Sequence, residues 1–201
     1  MMRRRSLLLA LPALPACSVL PSYDYVEPKR FPLVATRPGA PAPGPAKRVL
    51  LIRLMRAAPG MDSRGLRSLR SDGTVALTFY AEWTAPPAEL AEEALHRWLG
   101  ASGRFSAVTS PGSRARPDLV LESELTTLVA DLGRREARAG FSVLLLRQQA
   151  DEPRPLRQFA IQGRAPLPAG DELPPEALAE AMNAAFADAL AALERSLARY
   201  A

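Results

Sequence analysis

The sequence predicts an α+β fold, a mainly antiparallel sheet with two helices packed on one face. Three features predict it. Residues 118–165 contain three successive strand-like runs joined by short connections. Residues 173–200 carry one long apolar stripe at helical spacing, and residues 86–100 carry a shorter one. The chain has 201 residues, 48% of them hydrophobic and 23% charged, which suits one globular domain with an appendage and excludes a disordered chain.

Each element has a local reason. Val49-Leu-Leu-Ile-Arg53 is a short apolar run of the buried-strand type. Gly65–Arg70 and Thr74–Tyr80 flank Asp72-Gly73, a two-residue hairpin signal whose glycine tolerates positive φ. In the second arm Val75, Leu77 and Phe79 alternate with Ala76, Thr78 and Tyr80, so the alternation predicts that the first set faces the core. Thr84 is the predicted N-cap of the first helix, with Pro86 and Pro87 in its first turn. Leu90, Ala94, Leu95 and Trp98 then recur at helical spacing up to Gly100 or Gly103. Phe105–Thr109 reads as a short strand, and Asp118–Asp131, Glu136–Gln148 and Leu156–Ala165 as a meander. In the last helix Leu178, Met182, Phe186, Leu190, Leu193 and Leu197 share one stripe.

The first residues are an address. Arg3-Arg4-Arg5 precede a short apolar run, Leu7 to Ala16, which is too short to span a bilayer and reads as an export signal over residues 1–16. Its end, Leu14-Pro15-Ala16-Cys17, resembles a bacterial lipobox, in which the cysteine is acylated after cleavage. Cys17 is the only cysteine in the chain, so no intramolecular disulfide is available to it. Several acyl chains anchor a protein stably where one would not, each buried methylene contributing about 0.8 kcal/mol. Ser18 follows the cysteine. By resemblance to Gram-negative lipoproteins, this implies the outer membrane, facing the periplasm. Residues 17–47 then read as an acylated N-terminus and tether, with seven prolines between positions 18 and 47. Thirty such residues reach about 90 Å when extended. Tyr23, Tyr25 and Phe31 interrupt that spacer and are expected to pack on the domain or a partner. The folded domain is expected over 48–201, roughly 150 residues, enough for one core.

The charge follows from the same reading. The formal value is +5, and removing Arg3, Arg4 and Arg5 with the signal leaves +2, so the case for a nucleic-acid partner falls away. The sequence has no nucleophile elbow, phosphate loop, dinucleotide fingerprint or zinc-protease motif, and no cofactor is implied. Ser63 lacks elbow spacing, and His96, the single histidine, reads as structural. Glu122 and Glu124 share a strand face, a pattern compatible with acid–base work, but salt-bridged carboxylates are the stronger reading in so arginine-rich a chain. Tyr80 and Trp83 sit at a strand corner. Trp83 reads first as a core plug, with an interface role for either residue left open. Arg134 and Arg135, with Arg138, mark a strand turn able to meet headgroups or an acidic partner, a solvated loop being the default.

Taken in order, Gly73-Thr-Val-Ala-Leu-Thr-Phe-Tyr-Ala-Glu-Trp83, Pro86-Pro87-Ala-Glu-Leu90, Leu99-Gly-Ala-Ser-Gly-Arg-Phe105 with Val108, and Asp118-Leu-Val-Leu-Glu122 resemble the ABC-type transport auxiliary lipoproteins, the PqiC-like family. One departure is Leu69-Arg70, where that family usually has Tyr-Arg. The resemblance implies a non-enzymatic auxiliary in lipid or hydrophobic-solute traffic between the two bacterial membranes. Its implied partners are an ABC permease, its ATPase and a periplasmic protein of the mammalian-cell-entry class. Two alternatives stay open: a domain that itself holds a phospholipid ligand, and a structural envelope lipoprotein that assists outer-membrane assembly or binds peptidoglycan.

Overall fold

The computed structural model describes residues 25–149, 152–170 and 172–201. The signal, Cys17 and Tyr23 lie outside the described residues.

A thirteen-residue strand organises the molecule. This is β7, Leu119–Asp131, preceded in the chain by β1 (Lys29–Phe31), β2 (Val49–Ile52), β3 (Arg56–Ala57), β4 (Gly65–Leu69), β5 (Val75–Trp83), helix α1 (Pro87–Ala101) and β6 (Ala107–Thr109). After it come β8 (Glu136–Arg147), β9 (Arg154–Pro166) and helix α2 (Pro175–Leu197). β7, β8 and β9 form the antiparallel meander the sequence predicts, in register over nearly their full lengths. The free side of β7 is long enough to receive three short strands in turn. β2 pairs with it at Leu119–Leu121, β3 at Glu124–Leu125 and β4 at Ala130–Asp131, all parallel. β5 continues from β4 and β1 from β5, and β6 pairs with β2, giving nine strands in one mixed sheet among the described residues. The long ladders are antiparallel and the short ones mostly parallel, a mixture that strand-by-strand periodicity does not reveal.

Helix α2 lies over β8 and β9. Its predicted stripe is buried without exception, and Phe186 meets Phe141 with ring centroids 5.8 Å apart. A glycine sets the approach. A Cβ on Gly163 of β9 would stand 2.2 Å from the Ala185 carbonyl oxygen and from the Ala189 nitrogen, so this contact exists only without a side chain. Trp98 and Leu95 of α1 join the same core as α2. Thr84 is not the N-cap of α1. That position belongs to Pro86, which caps without a side-chain hydrogen bond, while the Thr84 amide donates to the Phe31 carbonyl at 2.9 Å. The proline pair fixes the helix start, and Thr84 is left to join β5 to β1.

The stretch that composition reads as a tether is laid against the domain from Lys29 to Ala42. β1 adds to β5 with Lys29 opposite Ala81 and Phe31 opposite Trp83. Leu33 is buried. Asn183 of α2 takes the arm in a reciprocal grip, donating to the Pro32 carbonyl at 3.3 Å and accepting from the Val34 amide at 3.2 Å. Further along, the Ala42 amide donates to the Ser102 carbonyl at 2.7 Å. Proline-rich composition excludes a core of its own, but it leaves isolated apolar and hydrogen-bonding residues free to dock on another element.

The arm is fastened at one buried carboxylate. Glu194 of α2 accepts from Arg37 Nε and Nη2 at 2.9 Å each, from Trp98 Nε1 at 2.9 Å and from Arg104 Nε at 3.0 Å. Burial alone pushes the Glu194 carboxyl up. The hydrogen bonds from Arg37, Trp98 and Arg104 together outweigh it, so its pKa lies below the ordinary value.

Candidate docking site

The hairpin of β4 and β5 turns at Asp72-Gly73, but through a three-residue loop, Ser71–Gly73, closed by Arg70 and Thr74, rather than the two-residue loop expected. Gly73 has φ 84°, and Asp72 accepts from the Thr74 amide at 2.8 Å and the Thr74 hydroxyl at 2.7 Å. Beyond the turn the two arms stop matching. Arg67 lies opposite Leu77 but Gly65 lies opposite Glu82, so two steps along β4 are met by five along β5. The surplus forms a bulge at Thr78–Ala81, with Tyr80 in the left-handed region at φ 54°.

That bulge reverses the expected burial. Val75 and Leu77 are about half exposed, at 51% and 50%, and Phe79 is 88% exposed, whereas Ala81 and Trp83 beyond the bulge are buried. The apolar set of β5 predicted to face the core therefore faces outward. Alternation persists along the chain, but a left-handed residue turns the strand between its two halves, so parity no longer identifies a single face. The missed signal was arm length: six residues before the turn against a much longer run after it.

Two grooves flank this raised strand. One, of about 640 Å³, runs along β5 between Arg70 and Pro28, with Tyr80 on its wall. The other, of about 460 Å³, lies between β5 and the end of the sheet, lined by Leu132, Arg135, Leu167 and Leu178. Both are open surface grooves rather than enclosed cavities, and both reach Phe79.

The sequence-derived interface residues divide. Tyr80 is exposed and shapes the first groove. Trp83 is 1% exposed and is the core plug, with no surface to offer a partner. Arg135 borders the second groove, but its guanidinium is committed to the Gly170 carbonyl at 2.9 Å and to the Pro168 carbonyl. Its left-handed backbone, at φ 52°, closes the β7–β8 turn. Arg134 stays at the surface, with its amide bonded to Asp131 Oδ1 at 3.0 Å.

Of the other residues with chemical potential, Glu122, Glu124 and Ser63 have structural partners, whereas His96 Nε2 is buried without a hydrogen-bond partner. Glu122 pairs with Arg53 at 2.9 Å and Glu124 with Arg56 at 3.2 Å, as the salt-bridge reading expects. The Ser63 hydroxyl accepts from the Gly65 amide at 3.4 Å. Among the described residues no group of three or more His, Cys, Asp or Glu is placed to hold a metal, and no helix is long and apolar enough to cross a membrane.

The structure is thus an α+β domain with its N-terminal arm strapped down and an apolar strand held outward. The sequence comparison makes the class specific. Residues 31–194 match the model of the ABC-type transport auxiliary lipoprotein component, and the chain belongs to that family. The match begins at Phe31, inside the arm, in keeping with an arm that is part of the folded unit. Membership makes the protein an auxiliary lipoprotein component of a transport system, a role of the cell envelope. The fold is similar to that of a Xanthomonas campestris protein of the DUF330 family, with TM-score 0.67 at 20% identity, over 79% of this chain and 89% of that one. An uncharacterized protein of known structure is similar with TM-score 0.63 at 12% identity, over 86% of this chain and 99% of that one. The comparison with curated proteins finds no significant match.

Proposed function

We propose that this protein is a non-enzymatic, acyl-anchored adaptor of an ABC-type system that moves lipid or another hydrophobic solute between the inner and outer membranes. The family match over residues 31–194 carries the reading. In it, residues 1–16 are removed, Cys17 receives the acyl chains, and the domain stands at the outer membrane facing the periplasm. α1 and α2 cover one face of the sheet, leaving the outward side of β5 for docking. The partners are a mammalian-cell-entry-class periplasmic protein and the permease–ATPase complex.

The arm changes the reach. With Lys29 to Ala42 held on the domain, only residues 18–28 remain as a link, about 34 Å when extended. The full proline-rich stretch would allow nearly three times that. The domain therefore works beside its anchoring membrane, and the partner does the reaching.

The test has two parts. Cys17→Ala releases the protein from membranes; continued tight association overturns the anchor. Pull-down with the acylated chain recovers permease, ATPase or the mammalian-cell-entry protein. Recovery of peptidoglycan or an assembly machine, without any transport component, overturns the adaptor reading. In a second reading the domain holds one phospholipid along the open groove beside β5. Native mass spectrometry of gently extracted protein then shows a copurified lipid.

A further inference from the structure

We infer that the outward face of β5 is a second membrane contact, in which Phe79, Leu77 and Val75 meet the lipid surface and orient the domain. The inference rests on the acyl-anchor reading for Cys17 and adds a contact that acylation does not require.

Four observations select a lipid surface as the occupant. The first is where the chain leads. β1 pairs with β5 at Lys29 and Ala81, one residue beyond Tyr80, and Pro28 forms part of the groove. Cys17 lies eight residues before Tyr25, so the anchor stands within about 28 Å of that point. The second is that Tyr25 and Val26, which lie between the anchor and Pro28 in the chain, are both exposed. The third is the rim. Tyr80 is an aromatic with a polar tip, of the kind favoured at headgroup depth, and Arg70 borders both grooves where it can meet phosphate. Asp72 at the turn is an opposing charge, with its carboxylate engaged by Thr74.

The fourth is the bulge, which decides between a bilayer and a partner's strand. An added strand needs a regular run of edge amides and carbonyls, and a bulge with a left-handed residue at Tyr80 interrupts that run. Side chains entering the interface need no such edge. A bilayer accepts projecting apolar groups while the strand backbone stays hydrated above them.

The test uses the full acylated chain carrying Phe79→Trp, incorporated in vesicles of phosphatidylethanolamine and phosphatidylglycerol with brominated acyl chains. Phe79 is exposed, so the substitution leaves the fold intact, and circular dichroism verifies this. Trp83 and Trp98 are buried and supply a background measured on the unsubstituted chain. The expected result is a blue-shifted emission from the introduced indole, quenched at least twofold by brominated lipid and protected from aqueous iodide. Flotation with the vesicles combined with solvent-like emission overturns this contact and leaves the anchor standing. Failure to float overturns the anchor and this inference together. A blue shift that grows with protein density and ignores brominated lipid assigns the face to a second copy and overturns the proposal.

Discussion

Replacing Glu194 with glutamine should unfasten the arm. Each carboxylate oxygen accepts two hydrogen bonds, Oε1 from Arg37 and Arg104, Oε2 from Arg37 and Trp98. Whichever way a glutamine amide is turned, its NH₂ group faces two donors, and the two guanidiniums lose their counter-charge. The Glu194 side chain is 9% exposed, those of Arg37 and Arg104 are 14% and 27%, so water replaces the lost partner only in part. Removing one member of a buried pair costs about 3–5 kcal/mol, and partial exposure argues for the lower end, about 3 kcal/mol. For a chain of this size that is a Tm loss of about 6–12 °C. The pH dependence has a definite sign. A carboxyl whose folded pKa is depressed stabilises above its unfolded value of about 4.3, and that contribution fades as pH falls through the folded pKa. Thermal denaturation of the two proteins should show a wide gap at pH 7 that narrows below about pH 4. A loss under about 1 kcal/mol at pH 7, or a gap that does not narrow in acid, would refute the clamp.

Three further substitutions separate core from surface. Gly163→Ala drives a methyl group into the backbone of α2 and should cost at least about 1–3 kcal/mol in urea denaturation; a neutral result would mean that α2 lies farther from β9. Trp83→Ala empties a core site and should cost about 3–5 kcal/mol by the same measurement, whereas a surface interface residue would cost almost nothing. Phe79→Ser should stay within about 0.5 kcal/mol of the parent, because the ring is already in water; a core-sized loss would restore the inward reading of β5.

Those contrasts mark where the sequence was legible. The α2 stripe and the meander could be read because each is long and periodic. Asp72-Gly73 marks the place of the turn through its own chemistry, but not the loop length, which is three residues because Ser71 joins it. β3 and β1 could not, since two or three residues show no period and exist only through β7 and β5. The outward face of β5 escapes the sequence reading for a different reason. Val75, Leu77, Phe79, Ala81 and Trp83 have a single parity in sequence but lie on either side of a bulge, which depends on the register with β4. Arg37 gave no local signal at all, because its partner Glu194 lies 157 residues away.

The clamp and the outward strand have a joint consequence for orientation. A thirty-residue spacer would let the domain rotate freely above its anchor, and a small apolar face would seldom meet lipid. Fastening Arg37 to Glu194 and adding β1 to β5 brings the chain out beside that face. A short link raises the effective concentration of a tethered group to the millimolar range, so a contact too weak to hold a free protein becomes the preferred state of an anchored one. In the proposed membrane contact the same geometry fixes which side of the domain is turned away from the lipid. On the proposed function, a transport partner arriving from the opposite membrane would then meet a surface of constant orientation, which a flexible tether alone would not present.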